Sequence, residues 1–169
     1  MPEIRLVELT RDSRAPEVAQ VRELLLEYGR FVLAQAGPAH LCFGTLEKEA
    51  AALPHFYLDQ GGGSLAAYIG ESPAGFVAWR EMKPAIAPDA WEMKRLWVRP
   101  ETRGHSLGRL LTSAVLNRAR AAQRTAVYLD TIPASMSNAF RLYLDLGFKP
   151  CAPYNNNPVE GVVHLRLSL

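Results

Sequence analysis

Arg103-Gly104-His105-Ser106-Leu107-Gly108 places an arginine and two glycines directly before a strongly amphipathic run. That combination suits the holding of phosphate oxygens. Glycine lets the backbone approach a ligand closely, and the unpaired N–H groups at a helix N-terminus, with the positive end of its dipole, attract an anion. Arg103, and Arg109 one turn into the helix, would add charge-assisted bonds to a diphosphate. The same letters also describe a glycine-containing turn that only caps a helix, and both readings stand at this point. A dinucleotide fingerprint is excluded because its three glycines are not at the required spacing and no βαβ unit opens the chain. A Walker loop is excluded because Gly-Lys-Ser/Thr is missing.

For such a loop to work, a strand must deliver the chain to it and a helix must carry it away. Trp91 to Val98 reads as that strand, ending at Arg99-Pro100. From Ser106 to about Ala122 the apolar residues Leu107, Leu110, Leu111, Ala114, Val115, Ala119 and Ala122 form a helical stripe, with Arg109, Asn117 and Arg120 off it. Upstream, Glu3 to Leu9 is an opening strand. A helix follows from about Pro16, with Val18, Val21, Leu25, Tyr28 and Val32 on one face, and Gly37-Pro38 stops it. A second helical stretch runs from Thr45 to about Phe56, and Gly61-Gly62-Gly63 breaks it.

Leu65 to Ile69 and Gly75 to Met82 read as an antiparallel hairpin turning at Glu71-Ser72-Pro73-Ala74. Downstream of the loop, Ala126 to Asp130 is a strand, and Ser137 to Leu146 a helix closed by Gly147. Phe148 to Tyr154 and Val159 to Leu167 are the last strands. This order predicts a mixed α and β (α+β) domain around one sheet.

At 169 residues the chain is expected to form one domain, residues 1–169, and its 49% hydrophobic content suffices for a core. A net charge of +2 with scattered Lys and Arg excludes the dense basic face that nucleic acid demands, so no nucleic-acid partner is expected. No stretch approaches the apolar length of a membrane span or a signal peptide, so a soluble protein without a membrane partner is expected. Cys42 and Cys151 lie far apart and in no CxxC arrangement, which argues against disulfides and fits a cytoplasmic setting. His40, His55 and His164 show no ligand spacing, so no metal site is expected.

Three segments together carry a resemblance. Glu92-Met93-Lys94-Arg95-Leu96-Trp97-Val98-Arg99-Pro100, then Arg103-Gly104-x-x-x-Gly108-Arg109-Leu110-Leu111, then Leu142-Tyr143-x-x-Leu146-Gly147-Phe148 resemble successive motifs of the GNAT superfamily of N-acetyltransferases. The match is strong from about Trp91 to Tyr154. It implies a three-layer fold with a splayed, mostly antiparallel central sheet flanked by helices. It also implies acetyl-CoA as cosubstrate, seated where the strand ending at Val98 parts from the strand at Ala126 to Asp130. Main-chain groups around Leu96, Trp97 and Val98 would pair with the pantetheine arm. Amides of Arg103, Gly104, His105, Ser106, Leu107, Gly108 and Arg109 would hold the pyrophosphate, His105 through its backbone alone.

The sequence departs from the family at two positions. Ser106 stands where glycine is usual, and its hydroxyl would serve as a cap or meet a phosphate. Met136 stands where many members carry a pantetheine-contacting asparagine, and the role passes to Asn138 only by a shift of two residues.

Acyl transfer from a thioester to an amine needs a neutral nucleophile, a polarised carbonyl and a proton for the departing thiolate. The resemblance makes Tyr143 the general acid, and Tyr143 packing with Phe140 and Leu146 is the competing reading. It makes Glu92 the carboxylate that relays the amine's proton, directly or through water, against a plain strand-end glutamate. Lys94 and Arg95 are read as solvated or ion-paired flanking charges, and Cys151 as a packing residue. The acceptor, a small-molecule or peptide amine, would lie near Tyr28, Phe31, Tyr154 and Asn155 to Asn157. A homodimer is compatible with the family. The competing function is a non-catalytic acyl-CoA-binding sensor.

Overall fold

The computed structural model describes residues 3–36 and 42–169. The elements are β1 (Ile4–Glu8), α1 (Ala15–Ala36), α2 (Cys42–Ala51), α3 (His55–Leu58), β2 (Gly63–Ile69), β3 (Ser72–Glu81) and β4 (Ala90–Val98). After a 3₁₀ turn at Pro100–Thr102 come α4 (Leu107–Ala121), β5 (Ala126–Thr131), α5 (Ser137–Asp145), β6 (Lys149–Pro150) and β7 (Val163–Ser168). Gly37-Pro38, His40 and the side chain of Cys42 lie outside the described residues.

The strands form one seven-stranded sheet in the order β1-β2-β3-β4-β5-β7-β6. Every neighbouring pair is antiparallel except β4 and β5. Side chains alternate across the sheet, as the strand period requires. Leu65, Ala67, Val77 and Trp79 face a core built with Leu107, Leu111, Val115 and Ala119 of α4 and Tyr143 of α5. Ala66, Tyr68, Phe76 and Ala78 face the other way, against Val18, Val21, Leu24 and Leu25 of α1, Leu46 and Ala50 of α2, and Tyr57. The result is three layers: α1 to α3, the sheet, then α4 and α5. No helix among the described residues is long and apolar enough to cross a membrane.

Three local readings of the sequence need correction. The stretch from Thr45 to Phe56 is two helices, because Pro54 has no N–H to continue the ladder and the chain restarts at His55. The hairpin turns two residues earlier than expected, at Gly70-Glu71. Gly70 takes φ 59, the left-handed region where glycine meets no steric penalty, while Ser72 and Pro73 pair with Ile69 and Tyr68 beside a bulge. The last two strands are short, β6 holding only Lys149 and Pro150, because the asparagine loop between them bonds through its side chains instead of joining the ladder.

The close of α5 follows the expectation. Gly147 sits at φ 98, and the amides of Gly147 and Phe148 bond to the carbonyls of Leu144 and Tyr143 at 3.0 Å. This pair of bonds satisfies carbonyls that the helix end leaves open.

Candidate functional site

β4 and β5 run together only through Ala90↔Ala126, Trp91↔Val127 and Glu92↔Tyr128. Beyond Glu92 no strand among the described residues pairs with β4 on its β5 side. The cause is local: the β3–β4 register shifts between Phe76 and Ala78, and Arg95 takes up the extra residue at φ 63. Such a bulge bends and twists its strand. It also reverses side-chain parity. Trp91 and Met93 face α4 and α5, and past the bulge Leu96 and Val98 pack on that core while Trp97 joins the opposite one.

The parted strands enclose a cleft of about 350 Å³. Leu96, Trp97 and Val98 line it from β4, Ser135 to Ala139 and Leu142 from the β5–α5 side, and Tyr28 and Phe31 from α1. Glu27 fixes α1 over this opening: its carboxylate accepts from Trp97 Nε1 at 3.2 Å and from Arg99 Nη2 at 2.6 Å. Phe31 then packs on Trp97 with ring centres 5.1 Å apart.

Arg103, Gly104, Ser106, Leu107 and Gly108 line one end of the cleft. The first helical bond of α4 is Leu110 N–H to Ser106 C=O, 3.0 Å. None of the amides from Gly104 through Arg109 donates to an acceptor among the described residues, so this end of α4 presents a row of free donors. Gly104 takes φ 92 and has open space where a side chain would begin, so the conformation rather than crowding asks for glycine there. Ser106 holds φ 56, the left-handed region, and its side chain makes no cap bond. The family's usual glycine is thus explained by backbone geometry, and the expected capping role of Ser106 is corrected. Arg103 sits with its guanidinium 5.8 Å from the Trp97 ring centre. Arg109 turns instead toward Asp145, at 3.6 Å, and neither it nor His105 lines the cleft.

Tyr28, Leu96, Met136 and Ala139 are shared between this cleft and a smaller inner pocket, which Lys94, Arg95, Asp130 and Tyr143 also line. Met136 and Asn138 both line the outer cleft, and only Met136 reaches the inner one. Tyr143 is 6% exposed and packs edge-on against Phe148 at 5.8 Å, while its hydroxyl has no hydrogen bond among the described residues. Burial pushes this phenol well above its ordinary value, and Tyr28 and Asp130 add to the shift. The ring of Tyr143 is therefore core, and its hydroxyl is unengaged among the described residues.

Glu92 is 3% exposed and lines neither space. Its carboxylate accepts from Arg80 Nε at 2.7 Å, Lys94 Nζ at 3.3 Å and the Tyr154 hydroxyl at 3.2 Å. Phe31 lines only the outer cleft, and Tyr154 lines neither space, its hydroxyl being bonded to Glu92.

One residue in the pocket escaped the reading of the sequence. Asp130 Oδ2 accepts from Asn155 Nδ2 at 2.9 Å and Asn157 Nδ2 at 3.0 Å, and Asn155 in turn bonds His164 Nε2 at 2.8 Å. Burial opposes the charge on Asp130, but Lys94 and the two amides outweigh it and hold the carboxyl below the usual range. The asparagine run was the available signal. It pointed to a loop, and only the pairing of β5 with β7 brings that loop to Asp130.

A sequence model of the Acetyltransferase (GNAT) family matches residues 20–148. An uncharacterised N-acetyltransferase of Schizosaccharomyces pombe is 41% identical over 86 residues, 51% of this chain and 52% of that protein. One from Dictyostelium discoideum is 37% identical over 79 residues, 46% of this chain and 36% of its own length. The chain thus spans about half or less of these relatives. Among solved structures, the PaiA N-acetyltransferase of Thermoplasma acidophilum in complex with coenzyme A is 14% identical, with a TM-score of 0.74 over 99% of both chains. The putative acetyltransferase YncA of Salmonella typhimurium with acetyl-CoA is 16% identical, with a TM-score of 0.67 over 98% of this chain and 93% of its own. At such identities the likeness is one of fold.

Proposed function

The chain belongs to the GNAT family of acetyltransferases, and on that footing we propose that it transfers an acetyl group from acetyl-CoA to a primary amine of a small molecule or peptide, by direct attack while both are bound. The observation that carries this reading is the row of free amides from Gly104 to Arg109, at one end of a cleft whose inner extension is lined by Tyr143.

The residues present fit the cosubstrate. Donors at a helix N-terminus with Arg103 beside them suit a pyrophosphate. The unpaired edge of β4 around Leu96, Trp97 and Val98 suits the amide-bearing pantetheine arm, and Asn138 faces it across the cleft. Arg109, tied to Asp145, contributes in this reading through its amide rather than its guanidinium. Acetyl-CoA supplies the thioester whose acetyl carbon is attacked. Tyr143 gives its proton to the departing sulfur, a role open to a phenol that burial keeps protonated. Glu92 serves the amine side at one remove, taking its proton through water while holding Lys94 in place.

Calorimetric titration with acetyl-CoA, followed by thiol release across a panel of amines, tests the reading. Binding with amine-dependent release is the expected result. Binding without release from any amine would instead support the acyl-CoA sensor, and absence of binding would end both.

A further inference from the structure

Resting on the acetyl-transfer reading, we infer that the acceptor is a small zwitterion of the amino-acid class, its amino group hydrogen-bonded to Asp130 and its carboxylate paired with Lys94. Both residues line the inner pocket together with Tyr143. Met93 and Leu129 belong to the core that holds Tyr143, so Lys94 and Asp130 project from the opposite face of the sheet and share the pocket with Tyr143 at the gap between β4 and β5.

The two charged groups have capacity left over. Asp130 Oδ2 is occupied by Asn155 and Asn157, whereas Oδ1 has no partner among the described residues. Among the described residues Lys94 Nζ donates only to Glu92, at 3.3 Å, which leaves two of an ammonium's three N–H groups. Arg95, the other cation in the lining, is different. Its Nε and Nη2 are already bonded to Glu49 at 3.1 and 2.8 Å. Lys94 is therefore the cation that offers itself to a ligand, and Asp130 the anion.

Charge balance narrows the class further. Arg80, Lys94 and Arg95 are matched by Glu49, Glu92 and Asp130, so the network is neutral. A polyamine would bring uncompensated positive charge into this set, which low-dielectric surroundings penalise. A simple alkylamine would satisfy Asp130 and leave the spare N–H groups of Lys94 without an anionic partner. A zwitterion meets both and adds no net charge. The pocket is small, about 40 Å³, and adjoins the larger cleft at Tyr28, Leu96, Met136 and Ala139, so its charged lining suits a compact head group better than an extended polar chain.

The test uses the full chain and acetyl-CoA, with thiol release measured for the common L-amino acids, their carboxamides, matching alkylamines and spermidine. At least one amino acid should exceed its own carboxamide in kcat/KM by about ten-fold or more, the loss expected when a desolvated charge goes unpaired. Lys94→Met should bring acid and carboxamide to within about twofold of each other, by loss on the acid. Asp130→Asn should lower kcat/KM for that amino acid by about ten-fold or more, with acetyl-CoA affinity and thermal unfolding as controls for folding. Preference for spermidine or an alkylamine, or an acid-to-carboxamide ratio unmoved by Lys94→Met, would overturn the inference. Binding of acetyl-CoA with no release by any amino acid would overturn it alone, whereas failure to bind acetyl-CoA would overturn the reading beneath it.

Discussion

Arg95 and Glu49, 46 residues apart, meet through two parallel hydrogen bonds of 3.1 and 2.8 Å with only 13% and 6% of their side chains exposed. The pair ties α2 to the bulge in β4 that opens the cleft, and Tyr57 donates to the same carboxylate at 2.6 Å. A bulged strand whose extra residue carries a bidentate arginine is thus held in register from the opposite layer.

Removing one partner should be costly. Glu49→Gln leaves a buried guanidinium without its counter-charge and should destabilise the protein by on the order of 3 kcal/mol in urea unfolding at about pH 7. Burial works against ionised Glu49, but Arg95 outweighs it and holds the carboxyl below its ordinary value. A depressed carboxyl stabilises the fold above its unfolded value of about 4.3, and the contribution disappears as pH falls through the lower folded value. The gap between wild type and Glu49→Gln should therefore narrow below about pH 4. An equal gap at both pH values would show that the pair is not linked to the carboxylate's charge.

Ser106 occupies φ 56 without a compensating side-chain bond. Ser106→Gly should relieve the left-handed penalty, part of it returned through the more flexible unfolded chain, for a net gain of about 0.5–1 kcal/mol. Thermal unfolding reads this directly, and acetyl-CoA affinity should hold or rise. A loss of stability would mean that the serine side chain contributes something its geometry does not show.

Tyr143→Phe keeps the ring contact with Phe148 and removes the unengaged hydroxyl. Turnover should fall by roughly 100-fold or more, with the dissociation constant for acetyl-CoA little changed. Because burial raises this phenol, loss of its proton should not depress kcat below about pH 10 in the wild-type protein. Unchanged turnover would remove Tyr143 from the proton-donor role.

Arg103 and Arg109 look equivalent in sequence and are not so in the fold. Arg103 lines the cleft, while Arg109 pairs with Asp145 at 3.6 Å. Arg103→Ala should weaken acetyl-CoA by roughly ten-fold and flatten its salt dependence. Arg109→Ala should change affinity by less than about twofold, as exposed pairs do. Equal losses for both would mean that Arg109 swings to the ligand.

Patterns of short range were legible from the residues alone. The stripe from Leu107 to Ala119, the glycine loop before it and the close of α5 at Gly147 each depend on neighbours within a turn or two, so periodicity and backbone preference suffice to read them. The three motifs in order likewise carried the family and the three-layer sheet. The splay itself was legible only by resemblance, since no letter announces that Arg95 is a bulge.

What tertiary structure alone decided is which charges meet. Glu92 alternates like a strand-end residue, yet partners from β3, from β4 and from the loop after β6 occupy its carboxylate. Asp130 reads as the end of an apolar strand, yet two asparagines 25 and 27 residues later hold one of its oxygens and leave the other to the pocket. Sequence separation carries no information about such pairs, because they form only when sheet pairing and helix packing bring distant segments within hydrogen-bond reach. The row of free amides before α4 was therefore written locally, and the meeting of Lys94, Asp130 and Tyr143 in one pocket was written by the fold.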